Sequence, residues 1–225
     1  DNGTTALNLG TVGVGQNFQA TSGGVISNSG VITVAGNATF VTDVNDIDID
    51  LDNAANAITG TINITTQTNA ATNGADVTID NGTTAINLGT LTVNGDLSVR
   101  GGNGITDSGV ITVAGTSLFH SDVTAKAITL DSANAMTGAV SITHTGAANV
   151  AIDNGTTALN LGTVSVGQNF QATSGGGITD TGVITVAGDA TFVTDVNDID
   201  INLNSSNAIT GALTFTTQTG GSNGA

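Results

Sequence analysis

The sequence predicts an all-β fold, a parallel β-solenoid running as one continuous rod. Three observations predict it. The chain repeats itself at 1–79, 80–152 and 153–225, and copies of this length that subdivide again are the mark of stacked coils. Its vocabulary is that of short strands and tight turns. All six phenylalanines (18, 40, 119, 170, 192 and 215) fall in the third strand of a coil, as happens when equivalent positions stack into ladders.

The repeat is explicit. The heptapeptide GVITVAG begins at Gly30, Gly109 and Gly182, and the hexapeptide DNGTTA at Asp1, Asp80 and Asp153. Segments 1–51 and 153–203 agree at 44 of 51 positions, and the middle copy has diverged further. In that copy, alternating strands follow Gly95, Gly115 and Gly138, spaced 20, then 23, then 30 residues to the equivalent point of the next repeat. This spacing reads as about three coils per repeat and about nine in total, each with room for three short strands and their turns. In the third repeat the first strands fall near 150–152, 177–179 and 198–201. The second strands fall near 164–166, 183–186 and 208–210, and the third near 170–172, 190–192 and 213–215. Alternation sets the inward face, because successive side chains point to opposite sides. Ala38 and Phe40 point in, Thr39 and Val41 out. Phe40, Phe119 and Phe192 are expected buried at the same place on their coils.

Composition agrees. The chain has 32 Gly and no Pro, Cys, Trp or Tyr, its 18 acidic residues are all Asp, and its basic residues are Arg100 and Lys126. The strong helix formers are scarce, while Thr, Val, Ile, Asn and Gly suit strands and turns. Asn-Gly pairs at Asn2, Asn81, Asn94, Asn103 and Asn154 supply tight-turn geometry. Without Pro, every central strand can donate its N–H groups to a neighbour. Repeats of 73–79 residues also approach the size of an immunoglobulin-like sandwich. The threefold subdivision and the missing Trp and Tyr speak against that.

A net charge of -16 and a pI near 4.1 argue against nucleic acid and against an anionic membrane surface as partners. The charge keeps a strand-rich rod soluble. No apolar run approaches a membrane span. The first residues enter in mid-pattern, and the sequence reads as part of a longer array, or as a segment that stacks end to end.

The pattern GITDTGVITVAGDATFVTDVNDIDINL…NAITGALTF, preceded by DNGTTALNLGTVSVGQNF, resembles the stalk repeats of filamentous-haemagglutinin-like exoproteins, large secreted surface proteins of bacteria. The resemblance covers the whole chain. It implies a right-handed parallel β-helix, secretion to the cell surface, and a role in adhesion, biofilm or an extracellular filament, with self-association and cell-surface or matrix polysaccharide as partners.

Three features of the sequence bear on a functional site. A carbohydrate-active β-helix enzyme needs carboxylates and a base gathered on one face. His120, His144, Arg100 and Lys126 all lie in the middle repeat, which reads as drift at exposed positions. The reading is therefore not an enzyme: no catalytic, cofactor-binding or metal residue is assigned, and no cofactor is expected. The segment from Asp43 to Asp52 places Asp46, Asp48, Asp50 and Asp52 on one strand face, alternating with Ile47, Ile49 and Leu51, so Asp46, Asp48 and Asp50 should be exposed and the apolar residues buried. Oxygen ligands at this density can bind Ca²⁺. Alternate strand residues stand nearly 7 Å apart, though, too far for one ion to collect them, and a solvated outer face is the leading reading. Thr65, Thr66 and Thr68 recur as Thr216, Thr217 and Thr219, but His144 interrupts the series, which argues against a dedicated threonine plane.

Overall fold

The computed structural model describes residues 1–68, 74–122, 125–144 and 146–220. Every assigned element is a strand, and every strand pairing is parallel. Two walls face each other across a dry interior. In order, the first wall stacks Leu7–Leu9, Ile26–Asn28, Ile49–Leu51, Val77–Asp80, Leu97–Gly101, Ser117–Ser121, Ala139–His144, Leu159–Val166, Ile178–Asp180 and Ile201–Asn202. The second stacks Phe18–Ser22, Ala38–Asn45, Thr61–Gln67, Ile86–Val93, Ile105–Asp107, Ile128–Leu130, Val150–Asp153, Phe170–Ser174, Ala190–Asn197 and Leu213–Gln218. Ten levels on each wall make ten coils among the described residues. At about 4.8 Å per level they span roughly 43 Å.

Among the described residues, seven further short strands bend one wall at a corner. In the first repeat Val12–Val14, Ile32–Val34 and Ala57–Ile58 form their own sheet beside the first wall. In the second, Ile111–Val113 and Ala135–Met136 extend the second wall, and in the third, Ile184–Val186 and Ala208–Ile209 extend the first. The bent side therefore changes from repeat to repeat.

This corrects the expected coil count. A repeat does not close after three coils. The strand Val77–Asp80 adds a tenth position, and the turn opened by Asp80-Asn81-Gly82 spends the rest of that half-coil without a strand. The next segment, Ile86–Val93, then lands on the opposite wall from its counterpart Leu7–Leu9. The first and second repeats each make three and a half coils, so neighbouring repeats are related by a half-turn about the axis and repeats one and three are in phase. Phe40, Phe119 and Phe192 are all fully buried, as expected. However, Phe119 sits on the first wall, whereas Phe40 and Phe192 sit on the second. The aromatic ladder is broken accordingly. Phe18 packs on Phe40 with ring centroids 5.8 Å apart, and Phe170, Phe192 and Phe215 form a separate stack at 5.8 and 5.7 Å.

The interior is a single cluster of Ile, Val, Leu, Phe and Ala running the length of the rod. The alternation read from the sequence holds in detail: in Ala38–Asn45, Ala38 and Phe40 are buried and Thr39 and Val41 half-exposed. Where a half-coil with a bend packs on one without, the register slips. One slip falls between Leu88 and Leu91 and another between Val140 and Ile142, each a bulge that takes up the length difference.

Candidate functional site

The most elaborate polar chemistry is inside the rod, at the bend between wall and corner. Asn56 accepts the Ile32 N–H at Oδ1 (2.9 Å) and donates from Nδ2 to the Leu51 and Asp80 carbonyls (3.3 and 3.1 Å). Asn134 and Asn207 accept the Ile111 and Ile184 N–H groups in the same way, each at 2.8 Å. An N–H with no partner here would carry a desolvation cost, and these side chains remove it.

The second and third repeats extend the seam with a carboxylate. Asp107 accepts from the Asn134 amide at 2.7 Å and from the Asp131 and Ser132 N–H groups. Asp180 accepts from the Asn207 amide at 2.6 Å and from the Asn204 and Ser205 N–H groups. Burial works against ionisation of Asp180, but these hydrogen bonds outweigh it, and its carboxyl is held below the usual carboxylate range. The first repeat has Asn28 instead. There the loop to Asn56 is one residue longer, Asn28 donates to Asn56 Oδ1 (2.9 Å), and its own Oδ1 is buried without a partner.

The Asp-Asn-Gly turn seals the half-coil that lacks a strand. Asp80 Oδ1 accepts the Gly82 N–H at 2.8 Å, and Gly82 takes φ +57, a left-handed conformation that glycine adopts without strain. This throws the Asn81 side chain inward against the previous coil. Its Oδ1 accepts the Ile58 N–H (2.8 Å), and its Nδ2 donates to the Ile58 and Ala85 carbonyls (2.9 and 3.1 Å). One carboxamide thus does the work of a missing strand peptide. Asn154 repeats the arrangement on Met136, with 2.9 and 3.0 Å bonds. The hexapeptide reads as a surface turn in sequence; its buried role was missed there. The signal was available, since Asn-Gly preceded by Asp recurs once per repeat.

Outside, a second ladder ties coil to coil. Asn17, Asn37, Asp48, Asp76, Asp96, Asn169 and Asp189 each accept, through a side-chain oxygen, a backbone N–H of the following coil at 2.6–3.0 Å. Asp48 therefore belongs to a structural ladder.

The acidic run does not lie on one strand face. The strand ends at Asn45, the chain turns at Asp46 (φ 58), and a new strand begins at Ile49 on the other wall. Asp48 and Asp52 are exposed while Asp46 and Asp50 are half-exposed; Ile49 and Leu51 are buried, but Ile47 is only half-buried. Burial and the neighbouring Asp52 and Asp48 raise the Asp50 pKa above its ordinary value. Among the described residues no three His, Cys, Asp or Glu side chains come together as metal ligands. Thr65 and Thr66 face opposite ways, the latter buried on the Thr92 carbonyl.

Among the described residues, the ion pairs lie in the middle repeat. Arg100 and His120 are direct neighbours on adjacent strands of the first wall, and both meet Asp122, at 2.6 and 2.5 Å. The Arg100 hydrogen bond holds the Asp122 carboxyl below its usual range, with His120 assisting against partial burial. His120 points outward, as expected. His144 does not: it is buried, with Nδ1 2.9 Å from the Gly146 carbonyl and Nε2 2.6 Å from that of Lys126. It replaces Thr66 as an inward polar stopper at the wall end, which overturns the expectation of an exposed drifted position. Both of its ring nitrogens are taken up by backbone.

A family model described as repeats of unknown function, DUF5649, matches residues 1–65, 74–143 and 147–216. The chain belongs to the DUF5649 repeat family. In the second and third DUF5649 matches the strands Val77–Asp80 and Val150–Asp153 stand near the head of the copy, just before the Asp-Asn-Gly turn. No curated protein and no solved structure matches the chain. Both polar seams of this DUF5649 array bind the rod to itself, and the array is a repeat β-solenoid scaffold.

Proposed function

We propose that this scaffold is a rod segment of a secreted bacterial surface adhesin or extracellular filament, mechanical in action and without a catalytic step. One observation carries the reading: both junctions between repeats are closed by an Asp-Asn-Gly turn, through Asn81 on Ile58 and Asn154 on Met136. Copies can therefore be added without altering the fold, and length grows in proportion. The likeness of the strand motifs to filamentous-haemagglutinin-like stalks supports the location and the role. The charge of -16 disfavours side-by-side contact. The partners of such a rod are further coils of the same chain or a second copy joined end to end, with cell-surface or matrix polysaccharide as the ligand of the larger assembly.

The test is made on the producing cell. Antibody to this segment should label intact cells, and excising repeats from the full protein should shorten the surface fibre and weaken adhesion. Label found only after lysis, or adhesion and fibre length unchanged by excision, overturns the reading.

A further inference from the structure

We propose that Asn103–Gly104 is a site of spontaneous deamidation, at which the rod acquires an aspartate or isoaspartate that the other Asn-Gly turns among the described residues resist. The chemistry is intramolecular. The Gly104 backbone nitrogen attacks Asn103 Cγ, giving up its proton, a C–N bond forms, and ammonia leaves with the side-chain nitrogen. Water then opens the resulting succinimide at either carbonyl, giving aspartate or isoaspartate. No co-reactant beyond water is needed. Glycine on the attacking side matters because it has no side chain to obstruct the approach.

Five Asn-Gly pairs lie among the described residues, and the fold treats one of them differently. The carboxamides of Asn81 and Asn154 are buried and bonded to a neighbouring coil. Asn94 donates to Thr66 O at 2.8 Å, and Asn2 to Thr5 and Ala6 carbonyls at 3.0 and 2.9 Å. Their attacking nitrogens are tied as well: Gly3, Gly82 and Gly155 to the preceding Asp at 2.8 Å, and Gly95 to the Ala75 carbonyl at 2.9 Å. Asn103 is exposed, and its carboxamide makes no hydrogen bond. It occupies the position held by Gly24 and Gly176 in the other repeats, so the pair belongs to the middle copy alone. Gly104, at φ +94, keeps the turn in a form that a side chain rarely adopts.

Isoaspartate would lengthen the main chain by one methylene two residues before the buried Ile105, between the Gly102-to-Gly82 and Ile86-to-Gly104 hydrogen bonds. The expected consequence is local loosening of this corner and one added negative charge at the exposed position 103.

The experiment is to hold the folded chain at mildly alkaline pH and map amide-to-acid conversion by peptide mass spectrometry, with isoaspartate distinguished by fragmentation. In the folded chain Asn103 should convert roughly tenfold to a thousandfold faster than Asn81 and Asn154, whose carboxamides are held by three and four hydrogen bonds. In denaturant the five sites should converge. Asn103→Gly, the residue of the other repeats, should abolish the fast conversion and leave the fold intact. Equal rates at Asn81, Asn154 and Asn103 in the folded chain, or no conversion at Asn103 while the denatured chain converts, overturns the proposal.

Discussion

Replacing Asn154 by alanine should be among the most damaging single changes outside the apolar core. Asn154 is fully buried, and its carboxamide makes four hydrogen bonds: Oδ1 with the Met136 N–H, and Nδ2 with the Met136, Thr157 and Ala158 carbonyls. Alanine removes all four and leaves both polar groups of Met136 facing a dry interior. At about 1–3 kcal/mol for each buried group left unpaired, the two together cost roughly 2–6 kcal/mol. Asn154→Asp should be at least as harmful, because a carboxylate can keep the Met136 N–H but cannot donate to three carbonyl oxygens. Asn2→Ala is the internal comparison. Its carboxamide is exposed and bonds only within its own turn, so about 1 kcal/mol or less is at stake. A repeat array need not unfold in one step. Native-state hydrogen exchange at the Met136 amide, read beside denaturant melts, is therefore the assay. A loss under about 0.5 kcal/mol with Met136 protection unchanged would refute the idea that this side chain replaces a strand.

Four other outcomes follow from the same geometry. Asp180→Asn should cost roughly 1–3 kcal/mol at neutral pH, the worth of hydrogen bonds to a charged acceptor. Because the folded pKa of Asp180 is depressed, its contribution is present above the unfolded value near 3.9 and is lost as pH falls through the folded value, so mutant and parent should converge in acid melts. Asp50→Asn, which copies Asn202, should act with the opposite sign: the raised folded pKa means the parent loses stability as pH rises through it, so the mutant should be more stable at neutral pH, by less than about 1 kcal/mol, and equal in acid. Micromolar Ca²⁺ should leave the thermal midpoint unmoved, since Asp48 is engaged in the coil ladder and binding to the fold would show as stabilisation. Spin labels at the exposed Val44 and Val196 should report a separation of about 34 Å, seven coils at about 4.8 Å, where three coils per repeat would give about 29 Å.

Much of the fold is legible in the sequence because a solenoid writes its core as alternation. Ile49, Leu51, Ile184 and Val186 are buried where period two places them. The half-coil is not legible that way, because it is made by a residue that has no apolar signal. Asn81 looks like any turn asparagine until Ile58 is seen one coil back. Counting glycine-to-glycine spacings also skips Leu159–Leu161, which continues without a break into Val164–Val166 as one strand. The charges of the middle repeat misled for a related reason: His144 lies at the end of an inward-facing alternation, Val140, Ile142, His144, and its parity marked it as buried, whereas its polarity suggested the surface.

The odd number of half-coils also gives the repeats their relation to one another. Repeats one and three are in phase, and they are the two that agree at 44 of 51 positions. Their side chains meet the same wall, the same corner and the same neighbours: Phe18 on Phe40 is matched by Phe170 on Phe192 at the same 5.8 Å. The middle repeat presents each position to the opposite side of the rod. Its cations and its one Arg–Asp–His cluster therefore do not line up with the acidic corners at Asp46 and Asp198, which share φ 58 and the same wall. The geometric unit of this rod is thus two repeats and seven coils, roughly 34 Å long, and a surface read along one side shows each kind of corner only once per unit. Any partner that engages more than one copy of the same corner must either span that distance or wrap halfway around.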